Sequence, residues 1–385
     1  MTDQMLHQTD AVHSTDFVAV ASRLGKQFAE RAAAADEQDG FVAENYAALR
    51  SSGLVEAGVP KELGGGGASV AELAEMLRTL ANHCSSTALA FSMHTHNVAN
   101  LAWRWTHQKA TAVEPLLRRI AAERVILLSS GGSDWIAGSG RAEKVEDGYR
   151  ITARKVFASG APAGDILMAG AVLETETHGP MVLHFGIPMT SPNVRIDPVW
   201  RTLGMRGTGS HDVIIDGHVV PEAAVAFKRR AGEWHPIFEV IAVISIPLIY
   251  AVYVGVAESA CEIAIGLAKK RRADRHVLQL IGRMQVELCG ARLGHRYMLD
   301  VAGRNAPSAA AVSDVMTGRQ LVARHVIHAV ELALEGAGGA GFYRAQGLER
   351  RFRDIQAARY HPMQSGPFAE FSGATALGLP TDKIF

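Results

Sequence analysis

Cysteine is scarce in this sequence, and neither sign of charge is in excess. The 385 residues include three cysteines, Cys84, Cys261 and Cys289. Their odd number and wide separation fit buried thiols in a reducing compartment better than a disulfide framework or a metal site. Lysine plus arginine and aspartate plus glutamate number 39 each. The net charge therefore gives no reason to expect nucleic acid or an anionic membrane as a partner.

The sequence gives little sign of export or of membrane insertion. Residues 1–16 contain no basic region followed by an apolar core, so we expect a cytoplasmic protein. Residues 240–257 form an uncharged run of eighteen residues, the lower length limit for a membrane span. This run stands alone, is flanked by Glu239 and Glu258 and contains Pro247. We therefore predict a helix buried inside a bundle, with no membrane partner.

The hydrophobic pattern changes twice along the chain. Up to about residue 124 the apolar residues recur at helical spacing, and Ser69 with Glu72 forms a capping box that opens a helix. Short alternating runs separated by Gly, Pro and Asp follow, as in a β-domain. After Trp234 the helical period returns, over about 236–270, 276–304 and 310–336.

This pattern predicts an α+β protein of three domains. Composition alone permits other topologies within that class. The predicted domains are an N-terminal all-α domain (1–124), a small central β-domain (125–230) and a C-terminal helical bundle (231–385).

A glycine- and serine-rich turn marks the end of the β-domain. The turn, at residues 207–210, precedes a strand in which Val213 and Ile215 alternate with polar residues. It presents backbone N–H groups beside an edge that can receive a flat ligand. The surrounding run, WRTLGMRGTGSHDVIIDGHVVP (200–221), resembles the end of the β-domain in the acyl-CoA dehydrogenase superfamily of flavoproteins.

Four further segments carry the same resemblance, in the family's order, between about residues 40 and 360. They are PKELGGGGAS (60–69), SSGGSD (129–134), DGYRITARKVFASGAPAGD (147–165), and GGAG (338–341) followed by LER (348–350) and RD (353–354). The resemblance implies an α-domain, a β-barrel-like domain and a four-helix bundle. It also implies bound FAD, with FMN as the alternative, and a homo-oligomer, either a dimer or a tetramer.

The resemblance assigns the flavin ring to the β-domain. Phe157 takes the place of the aromatic residue against the isoalloxazine, and Ser159 that of a hydroxyl near N5. Gly132 and Ser133 match the flavin-contacting loop, with Ser129 in place of its threonine, although that loop is two residues shorter here. Without the resemblance, Phe157 could equally be an ordinary core aromatic.

Three residues of the bundle are assigned to the pyrophosphate and adenine half of the flavin. Gly338 and Gly339 match a turn whose backbone approaches that half, usually from a neighbouring subunit, and they also fit a helix C-cap. Arg271 lies where the family has a pyrophosphate-binding arginine, but the family's QFG sequence is missing. The basic run around Arg271 equally fits a solvated surface.

The departure from the family concerns the catalytic base. The two positions at which acyl-CoA dehydrogenases carry a catalytic glutamate map to Pro362 and near Ser245. His361 lies beside the first position, as in flavin monooxygenases of the superfamily, and His94 lies on a helix that walls the cleft in the family. Histidine suits acid–base chemistry near neutral pH, so His361 and His94 are the catalytic candidates, with a structural role as the alternative for each.

Three functions follow from the resemblance. The first is oxidation of an acyl-CoA or similar thioester, with an electron-transfer flavoprotein as acceptor. The second is a two-component monooxygenase that takes reduced flavin from a reductase and hydroxylates an aromatic compound with O2. The third is a non-catalytic acyl-CoA-binding relative of the fold.

Overall fold

A computed structural model describes residues 15–131, 135–270 and 274–380. As predicted, helices come first, a sheet follows, and helices complete the chain. The N-terminal helices are α1 (Phe17–Glu37), α2 (Ala43–Arg50), α3 (Val70–His83), α4 (Ser85–Gln108) and α5 (Glu114–Glu123).

The predicted capping box opens α3. The Ser69 hydroxyl accepts from the Glu72 backbone N–H at 3.3 Å, and the Glu72 carboxylate accepts from the Ser69 backbone N–H at 2.8 Å. Both groups therefore satisfy a backbone N–H that the first helical turn leaves unpaired. Leu73, Leu77 and Leu80 then recur at helical spacing and are buried, which fixes the face of α3 that packs on the core.

In the described part of the chain, eight strands form one mixed sheet, in the order β6-β7-β3-β2-β4-β5-β8 with β1 beside β4. The pairs β1–β4 and β2–β4 are parallel and the others antiparallel. The strands are β1 (Leu127–Ser129), β2 (Arg141–Val145), β3 (Gly148–Ala158), β4 (Ile166–Leu173), β5 (Met181–Pro188), β6 (Val194–Asp197), β7 (His211–Pro221) and β8 (Phe227–Arg230).

The C-terminal helices pack around the long apolar one. This helix, α6, is long and apolar enough to cross a membrane, but 94% of its apolar window is buried inside the protein. That burial confirms the predicted core helix. Cys84 and Cys261 are buried as expected, whereas Cys289 is exposed. The helices are α6 (Ile237–Lys269), α7 (Arg275–Gly303), α8 (Ala309–Ala337), α9 (Leu348–Ile355) and α10 (Ser365–Ala376).

The segments that carry the resemblance contact one another across the domains. Buried Asp354, at the end of α9, accepts from the Met205 backbone N–H at 2.5 Å and from the Ser85 hydroxyl on α4. A Cβ on Gly204 would lie 2.3 Å from the Arg353 carbonyl oxygen, so only glycine permits this close approach. Asp354 thus ties the turn before β7 to both helical domains.

Candidate functional site

The β-domain presents an exposed aromatic ring where β3 bulges away from β7. The pairing shifts between Lys155 and Ala158, and Phe157 has φ 56°, a left-handed backbone that is strained for a residue with a Cβ. Phe157 is 58% exposed and meets Trp200 edge to face at 5.8 Å. It is therefore not a core aromatic, and its free face suits stacking by a flat ring.

Ser159 lies beside this ring at the outer end of a chain of hydroxyls. Its hydroxyl is 2.8 Å from that of Ser210, which is 2.7 Å from that of Thr208. Thr208 donates in turn to the Met205 carbonyl at 2.9 Å. An exposed flat ring next to a half-buried hydroxyl fits the two needs of a flavin, stacking and hydrogen bonding at its redox-active edge.

The loop after β1 runs against the same bulge. Ser129 is the half-buried last residue of β1, and the Gly131 backbone N–H donates to the Val156 carbonyl at 2.9 Å. Gly132 and Ser133 lie outside the described residues, so their predicted flavin contacts stay predictions. The structure brings Ser129, Phe157 and Ser159 to one region of the sheet.

Arg229 holds the end of this loop that precedes β2, a role that the sequence did not reveal. Its buried guanidinium donates to the Trp135 carbonyl at 2.9 Å and to His184 at 3.0 Å. It also lies 4.8 Å above the Phe238 ring at the start of α6. The side chain of Arg229 therefore holds the loop between the sheet and the bundle.

The predicted adenine-side glycines lie at the end of α8. Gly338 has φ 63°, and its backbone N–H bonds the Glu335 carbonyl, as a helix C-cap does. A Cβ on Gly339 would have open space around it. The turn is therefore both a cap and an accessible backbone surface, while Arg271 lies outside the described residues.

His361 lies at the junction of the C-terminal segment and α6. Its Nε2 is 2.6 Å from the Tyr253 hydroxyl, and its Nδ1 has no hydrogen-bond partner among the described residues. Burial, with a smaller contribution from the Arg319 guanidinium, lowers the pKa of His361 to about 4, so the ring is neutral at pH 7. Buried Arg319 donates to the His361 carbonyl at 2.7 Å and so fixes the backbone of this segment.

His94 has a different environment. The Leu127 backbone N–H donates to its Nδ1 at 3.0 Å, which makes Nε2 the protonated nitrogen that donates to the Val55 carbonyl at 2.8 Å. Burial lowers the pKa of His94 to about 4. Both ring nitrogens are occupied by backbone groups, so these contacts favour a structural role over the predicted catalytic one.

His96, two residues further along α4, belongs instead to a polar stripe that faces α6. His96, Asn100 and Arg104 are four residues apart and share a helix face. Among the described residues, His96 Nδ1, Asn100 Oδ1 and Arg104 Nε are buried without a hydrogen-bond partner. Asn100 donates to the Ser245 hydroxyl at 2.9 Å. The helical spacing in the sequence puts these residues on one face of α4. Only the tertiary structure shows which of their atoms lack a hydrogen-bond partner.

His96 lies near His361 and His94. Burial, with smaller contributions from His361 and His94, lowers the pKa of His96 to about 3. The contact between α4 and α6 therefore encloses a neutral histidine and an amide, whose unpaired atoms an ordered water can satisfy. Within the described residues, no group of three His, Cys, Asp or Glu side chains could hold a metal ion.

Two family models match this chain. Acyl-CoA dehydrogenase, N-terminal domain, matches residues 17–119, and Acyl-CoA dehydrogenase, C-terminal domain, matches residues 248–365. Together these segments cover more than half of the chain. The order of the two matches agrees with the helical domains on either side of the sheet.

Similar proteins include a nitrososynthase and a monooxygenase. The amino sugar nitrososynthase DnmZ of Streptomyces peucetius is 28% identical over 347 residues, covering 86% of this chain and 85% of that protein. A dibenzothiophene monooxygenase of Mycolicibacterium goodii is 27% identical, covering 69% and 65%. Proteins named as acyl-CoA dehydrogenases also match, at 24% and 22% identity.

Solved structures share the fold. KijD3 in complex with FMN and dTDP-3-amino-2,3,6-trideoxy-4-keto-3-methyl-D-glucose superposes with a TM-score of 0.87, at 24% identity over 96% of this chain and 95% of that chain. Taken together, the comparisons confirm a flavin-dependent oxidoreductase and favour the monooxygenase alternative over acyl-CoA dehydrogenation.

Proposed function

This chain belongs to the acyl-CoA dehydrogenase superfamily, and we propose that within it the protein is a monooxygenase that uses reduced FMN and O2 to oxygenate a polar small molecule. One oxygen atom enters the substrate and the other leaves as water, and the reduced flavin supplies two electrons. A separate flavin reductase supplies the reduced flavin, because the protein takes it up as a co-substrate.

The observation that carries this proposal is the pair His361–Tyr253. Neither position at which the family carries its catalytic glutamate has a carboxylate, since those positions map to Pro362 and near Ser245. Removal of an α-proton from a thioester needs such a base. A neutral imidazole whose Nε2 lies 2.6 Å from the Tyr253 hydroxyl can instead donate a proton from one ring nitrogen and accept one at the other.

The KijD3 complex supports a polar substrate, because the ligand named there is a dTDP-linked amino sugar.

We further propose FMN as the flavin and a homo-oligomer as the working form. The FMN in the KijD3 complex supports the first point. For the second, α7 exposes Leu278, Val286 and Leu293 at 63%, 70% and 64%, an apolar stripe that a second copy would cover. The molar mass measured by light scattering tests the oligomer.

The test separates oxygenation from dehydrogenation. The protein, FMN, NADH and a flavin reductase are incubated under ¹⁸O2 with a panel of amines and heteroaromatic compounds. We expect one ¹⁸O atom per product molecule by mass spectrometry. In parallel, the protein with oxidised FMN or FAD is mixed anaerobically with acyl-CoA thioesters. Bleaching of the flavin absorbance there, without ¹⁸O incorporation, would replace this proposal with dehydrogenation.

A further inference from the structure

A cavity of about 450 Å³ lies between α8 and the chain that follows α9. The residues of α8 that line it recur every three or four positions, from Arg319 to Glu331, so they share one face of the helix. The opposite wall carries Arg359 and Ser365. The volume is in the range typical of sites for small organic molecules.

Positive charge dominates the walls of this cavity. Arg319, Arg324 and Arg359 line it, and Glu331 is the one carboxylate among the described lining residues. Within the described part of the chain, none of these three arginines forms an ion pair. Glu331 is seven residues after Arg324, about 10 Å along the helix. The end of the cavity near Arg324 is therefore positively charged without a balancing carboxylate.

Arg319 is fully buried and has only neutral hydrogen-bond partners. Its Nη1 donates to the Gln320 side-chain oxygen at 3.0 Å. Its Nη2 donates to the carbonyls of Ala358, Arg359 and His361 at 3.2, 3.2 and 2.7 Å. Its Nε has no hydrogen-bond partner among the described residues. A buried charge with only neutral partners is stabilised when a negative charge comes close.

The two walls of the cavity are held together by hydrogen bonds. Gln320 donates to the Met363 carbonyl at 3.1 Å and accepts from the Ser365 hydroxyl at 2.9 Å. The His361 imidazole meets Tyr253 on α6, whereas the His361 carbonyl meets Arg319 on α8. The cavity is therefore on the α8 side of this segment, and its walls are positioned before a ligand binds.

We propose that this cavity binds a small phosphate monoester through its phosphate group. Guanidinium groups match phosphate oxygens with paired, charge-assisted hydrogen bonds. A phosphate monoester carries nearly two negative charges at pH 7, which suits three arginines better than the single charge of a carboxylate does. The site is separate from the flavin ring position at Phe157, and its occupation does not depend on the monooxygenase function proposed above.

Calorimetric titration of the whole protein, without added flavin and at constant ionic strength, measures this binding. The probes are AMP, ribose 5-phosphate and inorganic phosphate, and adenosine is the control ligand that lacks the phosphate. We expect both monoesters to bind and adenosine not to bind. Weaker binding of inorganic phosphate supports a monoester as the ligand, whereas binding as tight as that of AMP identifies free phosphate as the ligand of the same site.

Two substitutions locate the binding in the cavity. Arg324→Gln and Arg359→Gln each remove one charge from an exposed side chain, so the fold should be kept. Each should weaken AMP binding by about ten- to hundredfold, the factor typical of one hydrogen bond to a charged group. Arg296→Gln, at an exposed arginine of α7 outside the cavity, is the matched control and should leave AMP binding unchanged.

Arg271→Gln separates this site from the flavin site. The resemblance assigns Arg271 to the flavin pyrophosphate, so this variant should also bind AMP as wild type does. Absence of binding of all three phosphate probes by folded wild type overturns the proposal. AMP binding that Arg324→Gln and Arg359→Gln leave unchanged, or that Arg271→Gln weakens as much as they do, overturns it as well.

Discussion

His94 and His361 are both neutral at pH 7 because burial lowers the pKa of each to about 4. Their partners differ. His94 bonds backbone groups of Val55 and Leu127 through both ring nitrogens, whereas His361 bonds the Tyr253 hydroxyl through one. A lowered pKa therefore does not separate a structural histidine from a chemical one; the partners of the two nitrogens do.

The same comparison applies to the regions around them. His94 joins α4 to the loop at Val55 and to β1, so it holds parts of the N-terminal domain to the sheet. The region of His361 contains side chains that are held in place but incompletely paired, namely His361 itself and His96 nearby. A side chain that is held in place, with one ring nitrogen that no described residue pairs, can meet a ligand in a fixed orientation, as at His361.

The largest expected effect separates the two histidines by activity. His361→Ala should lower turnover by about 10²–10⁴-fold, because it removes a general acid–base group. Its affinity for FMN should stay near the wild-type value, and its stability should fall by about 1 kcal/mol because the buried Tyr253 hydroxyl loses its partner. NADH-dependent oxygenation with a reductase measures the rate. A variant within tenfold of wild type would return His361 to the structural histidines.

The second prediction separates them by stability. His94→Ala should lower the free energy of unfolding by about 3 kcal/mol, because it leaves the Leu127 N–H and the Val55 carbonyl unpaired and opens a cavity. Urea unfolding measures this loss. His276→Ala, at an exposed histidine of α7, is the control and should change stability by less than about 0.5 kcal/mol. Equal losses in the two variants would contradict the structural role of His94.

The third prediction concerns the loss of stability at low pH. The pKa of His94 is about 4 in the folded state and about 6.5 in an unfolded chain. Between these values the unfolded state binds the extra proton, so stability is fully present above pH 6.5 and falls as the pH is lowered through this window. His94 alone should account for a loss of about 1.4 kcal/mol per pH unit.

Unfolding free energies measured from pH 7 to pH 4 test this point. The wild type should lose stability more steeply than His94→Gln, which cannot titrate. Parallel curves for the two proteins would show that His94 keeps an ordinary pKa.

The smallest predicted effect tests the role of Tyr253, whose hydroxyl bonds His361. Tyr253→Phe should reduce turnover about five- to tenfold through loss of one hydrogen bond, and it should lower stability by about 1 kcal/mol. Tyr250→Phe is the matched control, because the Tyr250 hydroxyl donates to the Ala358 carbonyl at 2.7 Å. This control should lose about 1 kcal/mol of stability and keep its turnover. The reverse pattern would place Tyr250, not Tyr253, in the proton path.

The helices and strands followed from local sequence. Ser69 and Glu72 opened α3 because they are three residues apart, and the long period-3.6 runs gave α6, α7 and α8 to within one or two residues of their observed bounds. Phe157 and Ser159 were found through a motif that spans one strand and its turn. Such signals are local because helix capping, turns and periodicity involve residues within a few positions of each other.

The tertiary structure decided which side chains do chemistry. His94 and His96 are two residues apart on one helix, and nothing local distinguishes them. Val55 and Leu127 bond the ring of His94 from 39 and 33 residues away along the chain. His361 lies near His96, from which it is separated by 265 residues. The contact of the Ser159 hydroxyl with Ser210, and of Ser210 with Thr208, likewise depends on the pairing of β3 with β7. Hydrogen-bond partners and burial belong to the fold, and they fix the charge and the proton positions on which function depends.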